Sequence, residues 1–322
     1  MSTLVSVIIV TYNSADFILE TLESVANLTW KDIELIITDD CSTDNTVKLC
    51  ENWLKDHEKR FRRTAVVTSP VNTGVSANAN RGLKEAAGEW VKFLGGDDSF
   101  APGFLAKSMA YVTAHPEVRV LFSQLDVYRE TFEKKNYLRT TPEEIASDSI
   151  FRPDRTVEGQ FRMLLGADRI HFTPTAFLHR QTLLSVGGFD ERFRDFEDYT
   201  LWLNLTRNGH KLHFMHEVTV KYRMHDRALN NKPVHRVVNP NYFKEEKMRR
   251  IYTYPYMPLD LRLQARFIWI VGQIYRWERL NRYNPFSRIT WNLLTGYLNP
   301  FTYYIAIKKR LRPELRENEL YL

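Results

Sequence analysis

Two pairs of adjacent aspartates, Asp39-Asp40 and Asp97-Asp98, are the side chains in this sequence best suited to bind a cation or a charged ligand. Neighbouring carboxylates raise each other's pKa unless a cation or hydrogen-bond donors keep them ionised. A divalent metal meets that requirement, and hard oxygen ligands favour Mg²⁺ or Mn²⁺. An Asp-Asp pair can equally cap a helix and satisfy the backbone of a turn. A function for both pairs therefore depends on whether the fold brings them together.

Strands and helices alternate along the first 125 residues. Short apolar runs predict buried strands at residues 5–10, 33–38, 64–68, 90–94 and 118–123. Helical spacing separates the first four runs, with Ser14 as the predicted cap of the first helix and Gly88 as the predicted end of the third. Repeated units of this length predict an α/β fold with a doubly wound, mostly parallel sheet. Past residue 126 the pattern predicts a loop at 140–155, strands at 169–178 and 212–222, and a helix at 199–208.

Ligands of a doubly wound sheet bind outside the carboxyl ends of its strands. The segment Thr11-Tyr12-Asn13 follows the first predicted strand, and the two aspartate pairs follow the second and fourth. The sequence therefore predicts one crevice that both pairs face. In that crevice Tyr12 could stack on a base, and Asp39 could accept the imide N–H of uracil or thymine. A metal would then neutralise a diphosphate.

Several classes of site are excluded. No G-x-G-x-x-G follows the first strand, and the sequence contains no G-x-x-x-x-G-K-[ST] phosphate loop. Cys41 and Cys50 are too few for a disulfide scaffold or a four-thiolate zinc site. The chain enters its first apolar run without a basic leader or a cleavage pattern, so we expect a cytoplasmic location.

Charge is unevenly distributed over the 322 residues, whose net charge is +6. Residues 231–322 carry a balance of +10 and 17 of the 42 aromatic residues, whereas residues 1–230 carry −4. This asymmetry predicts a domain for chemistry over residues 1–230 and a helical extension over residues 231–322. The uncharged segment 289–307 contains Asn292, Gly296 and Pro300, which disfavour a membrane-spanning helix. It favours an in-plane contact with an anionic membrane surface, on the inner face of the cell membrane; the alternative is a helical subdomain packed on itself or in a homodimer.

The ordered motifs of the first 226 residues resemble a known family. They are VSVIIVTYNSADFILETLESV, ELIITDDCSTDNT, NTGVSANANRGLKEAAGEWVKFLGGDD, GGFDERFRDFEDYTLWLNL and KYRMH. Together they resemble the family 2 glycosyltransferases of GT-A fold. The resemblance implies transfer of a sugar, with inversion, from a nucleotide-diphosphate donor to a saccharide or lipid-linked acceptor. It further implies a UDP-sugar donor and a non-processive enzyme of bacterial surface polysaccharide synthesis, such as that of capsule or O-antigen.

Residue roles follow from the same resemblance. The nucleotide-binding residues it implies are Thr11, Tyr12, Asn13, Asp39, Asp40, Asn80 and Arg81. Asp97, Asp98 and His225 would form the metal and diphosphate site, with Mn²⁺ or Mg²⁺. Asp198 and Glu197 would be the catalytic residues, with Asp198 as the general base that removes the proton of the acceptor hydroxyl. The pair could equally cap the helix that begins beside it, where negative charge complements the helix dipole.

Two departures from the family pattern stand out. Gly95 occupies the position where the family commonly has the first acid of D-x-D-D, and Ala79 stands where the family often has arginine. Arg81 could replace that arginine as a donor contact, or it could face solvent. The string Gln273-Ile274-Tyr275-Arg276-Trp277 matches the Q-x-x-R-W of processive synthases, but it lies far beyond Asp198 and no membrane-spanning bundle accompanies it.

Two other classes of function remain open on the sequence alone. Gly95 is compatible with a nucleotide-sugar-binding scaffold that has lost its activity. The sequence pI of 9.1 and the basic aromatic extension are compatible with a nucleic-acid-binding protein. The acidic balance of the first 230 residues and the absence of zinc-finger or RNA-recognition motifs argue against nucleic acid as a partner.

Overall fold

The computed structural model describes residues 3–194, 197–226, 235–316 and 318–321. These residues pack as two compact units. Unit 1 comprises Met1–Gln160 and Ile170–Ala228, and unit 2 comprises Phe161–Arg169 and Leu229–Leu322. The short stretch 161–169 thus packs with the C-terminal part of the chain.

Unit 1 is built on one nine-stranded sheet with the order β3-β2-β1-β4-β8-β6-β9-β5, and β7 pairs with β6. The strands are β1 (Val5–Thr11), β2 (Ile33–Asp39), β3 (Arg63–Thr68), β4 (Trp90–Gly95), β5 (Ser99–Phe100), β6 (Val120–Arg129), β7 (Tyr137–Thr141), β8 (Phe177–His179) and β9 (Leu212–Met224). Strands β3, β2, β1 and β4 are parallel, as are β6 and β9. The predicted α/β fold with a doubly wound sheet is confirmed.

Helices connect these strands. They are α1 (Ile18–Ala26), α2 (Thr46–His57), α3 (Val75–Glu85), α4 (Phe104–Ala114), α5 (Val157–Gly166), α6 (Arg180–Ser185) and α7 (Glu197–Arg207). Helix α5 begins in unit 1 and ends in unit 2, because its residues from Phe161 onward pack with unit 2. In α1, Ile18, Leu22 and Val25 are fully buried, because residues at i, i+4 and i+7 share one helix face.

Three local predictions were wrong. Helix α1 begins at Ile18, not beside Ser14. The main-chain oxygen of Ser14 accepts hydrogen bonds from the N–H groups of Phe17 and Ile18, so a tight turn precedes the helix. Helix α3 ends at Glu85, before Gly88. A Cβ at Gly88 would lie 2.6 Å from the main-chain nitrogen of Ser6. Glycine is therefore required here because the main chain passes close to β1. Only the last residues of the predicted strand at 169–178 are extended, because Thr173–Thr175 form a 3₁₀ turn.

Unit 2 is helical in the part that the structure describes. Its helices are α8 (Pro240–Tyr252), α9 (Leu259–Ile274), α10 (Glu278–Asn281), α11 (Pro285–Asn292) and α12 (Pro300–Leu311), with a π-helical turn at Leu293–Tyr297. Three helices begin with an Asn-Pro pair, in which Asn239, Asn284 or Asn299 accepts a main-chain N–H hydrogen bond. Asparagine caps and proline in the first turn are common helix start signals, which explains these boundaries.

The helices of unit 2 have an interior of their own. Val238, Val271 and Tyr275 form one buried cluster with Trp291 packed against it, and Leu261, Ile305 and Tyr321 form a second. Buried Asp260 accepts a hydrogen bond from Lys308 at 2.6 Å. Across the described parts of the chain, every helix falls short of the length and hydropathy that crossing a membrane requires.

Candidate active site

The two aspartate pairs lie at the same edge of the sheet, on either side of β1. Thr11 is in register with Asp39 on β2, and Val10 is in register with Gly95 on β4. Since neighbouring strands lie about 4.8 Å apart, two strand spacings separate the pairs by about 10 Å. The topology therefore brings both predicted pairs to one edge of the sheet, and a crevice that both pairs face stays a prediction.

Asp39 is held by the loops that follow β1 and β2. Thr11 Oγ1 donates a 2.8 Å hydrogen bond to Asp39 Oδ2, and the main-chain N–H of Ser42 donates a 2.7 Å bond to Oδ1. The carboxylate is only 1% exposed. Its orientation is fixed before any ligand arrives.

Asn13 joins the same two loops. Its Oδ1 accepts a 2.9 Å hydrogen bond from the N–H of Thr43, and its N–H donates to Ser42 Oγ at 2.7 Å. Asn13 adopts a φ of +52°, which asparagine tolerates better than most residues. Tyr12, the residue before it, is exposed at the rim of the crevice.

Asp40 is the anchor of the loop before α3. The N–H of Gly74 donates to it at 2.6 Å, the N–H of Thr73 at 3.0 Å, and Arg81 Nη2 at 2.7 Å. Burial alone would raise the pKa of Asp40, but the hydrogen bonds from Thr73, Arg81 and Gly74 hold it below its ordinary value. Arg81, one of two alternatives at the sequence level, thus pairs with Asp40 instead of facing bulk solvent.

Asn80, unlike the other predicted nucleotide-binding residues, forms hydrogen bonds with the main chain of Phe189. Its Nδ2 donates to the main-chain oxygen of Phe189 at 2.8 Å, and its Oδ1 accepts the N–H of Phe189 at 3.0 Å. A Cβ on Gly188, whose φ is +72°, would lie 2.7 Å from Asn80 Oδ1. Gly188 of GGFD therefore permits this close contact, and the predicted nucleotide contact of Asn80 stays a prediction.

Asp97 and His225 form the partly open side of the second pair. His225 Nε2 lies 3.0 Å from Asp97 Oδ2, while the Asp97 side chain is 34% exposed. The His225 ring is buried, with its centroid 4.5 Å from that of Phe17. The two side chains arrive from β9 and from the turn after β4, so the fold joins residues that are 128 positions apart.

Asp98 points into the protein and is enclosed by cations. Its Oδ1 accepts a 2.9 Å hydrogen bond from the main-chain N–H of Arg223. Burial and the neighbouring Asp97 raise the pKa of Asp98, and the charges of Arg223 and Lys92 oppose that rise. Lys92 is fully buried, donates to the main-chain oxygen of Pro174, and has its pKa lowered by burial. Asp98 thus fixes the turn, whereas Asp97 is the accessible member of the pair.

Gly95 leaves room for the Asp97 carboxylate. A Cβ at Gly95 would lie 2.6 Å from Asp97 Oδ1, closer than real Cβ contacts come. A Cβ at Gly96 would lie 2.9 Å from the Thr11 methyl group. The family commonly has an acid at position 95. In this chain a side chain at that position would compete for the space that the Asp97 carboxylate occupies.

Glu197 and Asp198 lie in the first turn of α7 and are both partly buried. The segment before them is tied to α3, because Ser76 Oγ donates a 3.0 Å hydrogen bond to the main-chain oxygen of Phe193. Five residues span at most about 17 Å, which places Asp198 within that reach of the α3 N-terminus. The helix dipole favours the ionised form of an acid in this turn, so the capping and the base interpretations are compatible.

The side chains of Asp97 and His225 fit a divalent metal whose other coordination positions are filled mainly by the bound nucleotide and water. Asp97 supplies a carboxylate, which suits Mg²⁺ or Mn²⁺, and His225 supplies an imidazole, which suits a transition metal better than Mg²⁺. Within the ranges that the structure describes, three or more His, Cys, Asp or Glu side chains are nowhere grouped as a metal cage. Magnesium commonly keeps one or two protein carboxylates and completes its shell with phosphate oxygens and water.

Sequence reasoning missed two residues of this site. Arg223 contacts both aspartates of the second pair, and Asn78 Nδ2 donates to the main-chain oxygens of Thr11 and Thr38 at 3.0 and 3.1 Å. Both stand inside motifs that the resemblance rests on, KYRMH and NTGVSANANRG. The only indication of their role in the sequence was that both are polar residues within those motifs.

Comparison with protein families gives one match over most of unit 1. Residues 6–183 match the family described as Glycosyl transferase family 2. One curated relative is the UDP-Glc:alpha-D-GlcNAc-diphosphoundecaprenol beta-1,3-glucosyltransferase WfaP of Escherichia coli. It is 29% identical over 222 residues, which cover 69% of this chain and 78% of the relative.

Two solved structures share the fold. TarS 1–349 of S. aureus in complex with UDP-GlcNAc has a TM-score of 0.59 at 18% identity, covering 83% of this chain and 71% of that one. The mannosyltransferase PcManGT of Pyrobaculum calidifontis, in complex with GDP-Man and Mn²⁺, has a TM-score of 0.52 at 18% identity. That alignment covers 100% of this chain and 84% of the other.

Proposed function

The chain belongs to glycosyl transferase family 2 and is a glycosyltransferase, and we propose that it moves a sugar with inversion from a UDP-sugar to a hydroxyl of a saccharide or lipid-linked acceptor. The observation that carries this proposal is the placement of Asp39-Asp40 and Asp97-Asp98 on either side of β1 at one sheet edge. Asp39 of the first pair suits a nucleoside, and Asp97 of the second pair suits a cation that would bind a diphosphate. We assign the catalytic domain to about residues 1–230.

The nucleoside is proposed to bind at the ends of β1 and β2. Asp39 is oriented by Thr11 and Ser42 to accept the imide N–H of uracil, and Tyr12 is exposed where it can cover the base. The preference for uracil is supported by two similar proteins, because WfaP is named for UDP-Glc and TarS was solved with UDP-GlcNAc.

The diphosphate is proposed to lie beside Asp97 and His225. These side chains would hold Mn²⁺ or Mg²⁺, which when bound would offset the charge that develops on the leaving UDP. Support comes from their 3.0 Å approach and from the Mn²⁺ in the PcManGT complex. Arg223, buried behind the turn, keeps Asp97 in position because its Nε donates a hydrogen bond to the main-chain oxygen of Asp97.

Asp198 is proposed to take the proton of the attacking hydroxyl. Inversion needs a single in-line attack, so the protein has to supply a base but no nucleophile. Negative charge is favoured in the first turn of a helix, which suits a base at this position. Support also comes from Phe193, five residues before Asp198, whose main-chain oxygen accepts a hydrogen bond from Ser76 of α3.

The acceptor is proposed to be a lipid-linked saccharide. WfaP is named for an acceptor carried on diphosphoundecaprenol, a membrane lipid. A chain that uses such an acceptor has to work at a membrane surface, and we propose the inner face of the cell membrane. Residues 231–322 would provide that contact.

An inactive nucleotide-sugar-binding scaffold is the second candidate, and Gly95 is the observation in its favour. The geometry weakens the case, because glycine at this position leaves Asp97 the space it occupies beside His225. The two candidates differ in turnover, since a scaffold would bind UDP and transfer nothing.

Thermal unfolding in the presence of UDP-, dTDP- and GDP-sugars, each with Mn²⁺, Mg²⁺ or a chelator, tests the proposal. We expect one UDP-sugar to raise the midpoint by about 5 °C at saturating concentration with metal, and by less with a chelator. That donor is then incubated with diphosphoundecaprenol-linked saccharides, where product formation separates an enzyme from a scaffold. Failure of every nucleotide sugar to stabilise the chain would contradict the proposed donor site.

A further inference from the structure

Helices α11 and α12 expose the side chains that a soluble helix normally buries. Phe286, Ile289 and Leu293 follow one another at i, i+3 and i+7, so they share one face of α11 and the turn after it. Tyr304, Ile307 and Leu311 repeat the spacing on α12. We call these six residues, together with the exposed Tyr297 and Tyr303, the apolar face of unit 2.

The apolar face is not an unfilled core. Each helix also has a buried side: Ser287 and Asn299 are 0–1% exposed, Trp291 packs against the cluster of Val271 and Tyr275, and Ile305 packs with Leu261. These helices therefore have their inner contacts already. Contiguous exposed apolar side chains beyond such contacts mark a surface for a partner or a membrane.

Helix α9 shows the same arrangement. Leu259, Leu263, Ile270 and Ile274 are exposed along one helix face, and the spacing i, i+4, i+11 and i+15 keeps them within one stripe. The opposite side of α9 contains the buried Leu261, Val271 and Gly272. Outward apolar stripes are thus a repeated property of unit 2.

The sequence segment that contains the apolar face has charges of one sign. From Arg279 to Pro313 the sequence contains seven Lys or Arg residues and no Asp or Glu. Arg288, Arg310 and Arg312 are exposed among the apolar side chains. Basic residues beside exposed aromatic and aliphatic side chains are the composition of helices that lie in the plane of an anionic membrane.

We propose that the apolar face of unit 2 docks on an anionic lipid surface, with α11 and α12 lying in its plane. A second copy of the chain is disfavoured, because a two-fold contact through this face would bring basic residues together without an acidic partner. The proposal concerns the partner of unit 2 and extends the membrane contact suggested for the proposed function. It does not depend on the donor or on catalysis.

Flotation of the full chain with vesicles tests the docking. We expect binding to phosphatidylglycerol-containing vesicles, weak binding to pure phosphatidylcholine, and a loss of binding at high salt. Ile289→Ser and, on the other helix, Ile307→Ser should each weaken binding at least about tenfold. Arg310→Gln and Arg312→Gln should each weaken it about fivefold. Val71→Ser is the matched control, because Val71 is 60% exposed and Ile289 is 63% exposed.

Three results would overturn the proposal: equal binding to both kinds of vesicle, unchanged binding of Ile289→Ser and Ile307→Ser, or a stable dimer that Ile289→Ser dissociates. Circular dichroism melting confirms that each variant is folded. Transfer to a water-soluble acceptor separates this proposal from the proposed function, because Ile289→Ser should leave that rate unchanged. A chain that binds vesicles and transfers no sugar would refute only the proposed function.

Discussion

The main-chain N–H of Arg223 donates a 2.9 Å hydrogen bond to Oδ1 of Asp98, which ties β9 to the acidic turn after β4. The guanidinium of Arg223 strengthens this link, since its Nε donates to the main-chain oxygen of Asp97 at 2.8 Å. The guanidinium carbon of Arg223, Cζ, lies 4.8 Å from the ring centroid of Phe17 and 4.1 Å from that of Phe132. A buried, sandwiched cation thus sets the position of the proposed diphosphate site.

We predict that Arg223→Lys weakens metal-dependent UDP binding at least about tenfold, because lysine keeps the charge but cannot reproduce the planar donor fork. Arg223→Met should in addition lower the free energy of unfolding by about 3 kcal/mol, since it removes a buried guanidinium that donates to the main-chain oxygen of Asp97 and forms an ion pair with Glu20. Calorimetry with UDP and Mn²⁺ and urea unfolding measure the two effects. Arg62→Lys, in an exposed ion pair with Asp32, is the control and should change neither quantity.

We predict that both Gly95→Ala and Gly95→Asp weaken metal-dependent UDP binding, because the added Cβ displaces the Asp97 carboxylate from its place beside His225. Stability should change little, since the displaced group is the end of a side chain. Calorimetry with Mn²⁺ provides the affinity. Gly166→Ala is the control, as a Cβ there meets no atom within 4 Å.

The Gly95 pair of variants distinguishes two interpretations of the missing acid. If the family's first acid could simply be restored as a ligand, Gly95→Asp would bind UDP more tightly than the natural chain while Gly95→Ala would not. That outcome would contradict the role we give to Gly95.

Much of the sheet and of the crevice could be predicted from the sequence. Strands β1, β2 and β4 are continuous apolar runs, because burial on both faces demands them. The carboxyl ends of such strands meet at one edge, so Asp39 and Asp97 could be placed together before any coordinates were known.

The buried charges could not be predicted. Lys92 in the run WVKFL and Arg223 in KYRMH resemble ordinary exposed residues of strands, yet both are at most 2% exposed. Their partners, Pro174 for Lys92 and Asp97 for Arg223, lie 82 and 126 positions away. Glu34 is similar, since its carboxylate accepts the N–H of Gly88. The sequence around a charged residue shows that the residue is buried only when its hydrogen-bond partners are near in the sequence.

We predict that Asp40→Asn destabilises the chain at pH 7 by about 1–3 kcal/mol, because it removes a charged acceptor from four hydrogen bonds. The folded chain holds the pKa of Asp40 below its ordinary value of 3.8. The charged form therefore stabilises the fold above pH 3.8, and this contribution disappears as the pH falls through the lower folded-state pKa. Urea unfolding from pH 7 down to pH 3 measures the difference between the two proteins. A difference that already disappears above pH 5 would count against the assignment.

We predict that Asp97→Ala abolishes the part of UDP binding that depends on Mn²⁺, because it removes the accessible carboxylate beside His225. Binding of UDP in the presence of a chelator should be unchanged, since Asp39 and Thr11 remain. Calorimetry with and without Mn²⁺ measures both. The matched control is Asp154→Ala, which removes an exposed carboxylate paired with Arg152. Equal affinity of Asp97→Ala and the natural chain for UDP with Mn²⁺ would rule out the metal site.

We predict that Asp198→Asn lowers turnover about 100-fold or more and leaves UDP binding and thermal stability largely unchanged, as expected for loss of a general base. Glu197→Gln, a neutral change at the neighbouring position in the same first turn of α7, is the control. If the pair acts only as a helix cap, the two variants should lower stability by similar small amounts and leave the rate of transfer intact. If Asp198 is the base, only its replacement affects the rate, and the loss appears in kcat more than in donor affinity. Initial rates with saturating donor, together with melting curves for both variants, therefore separate a structural acid from a catalytic one.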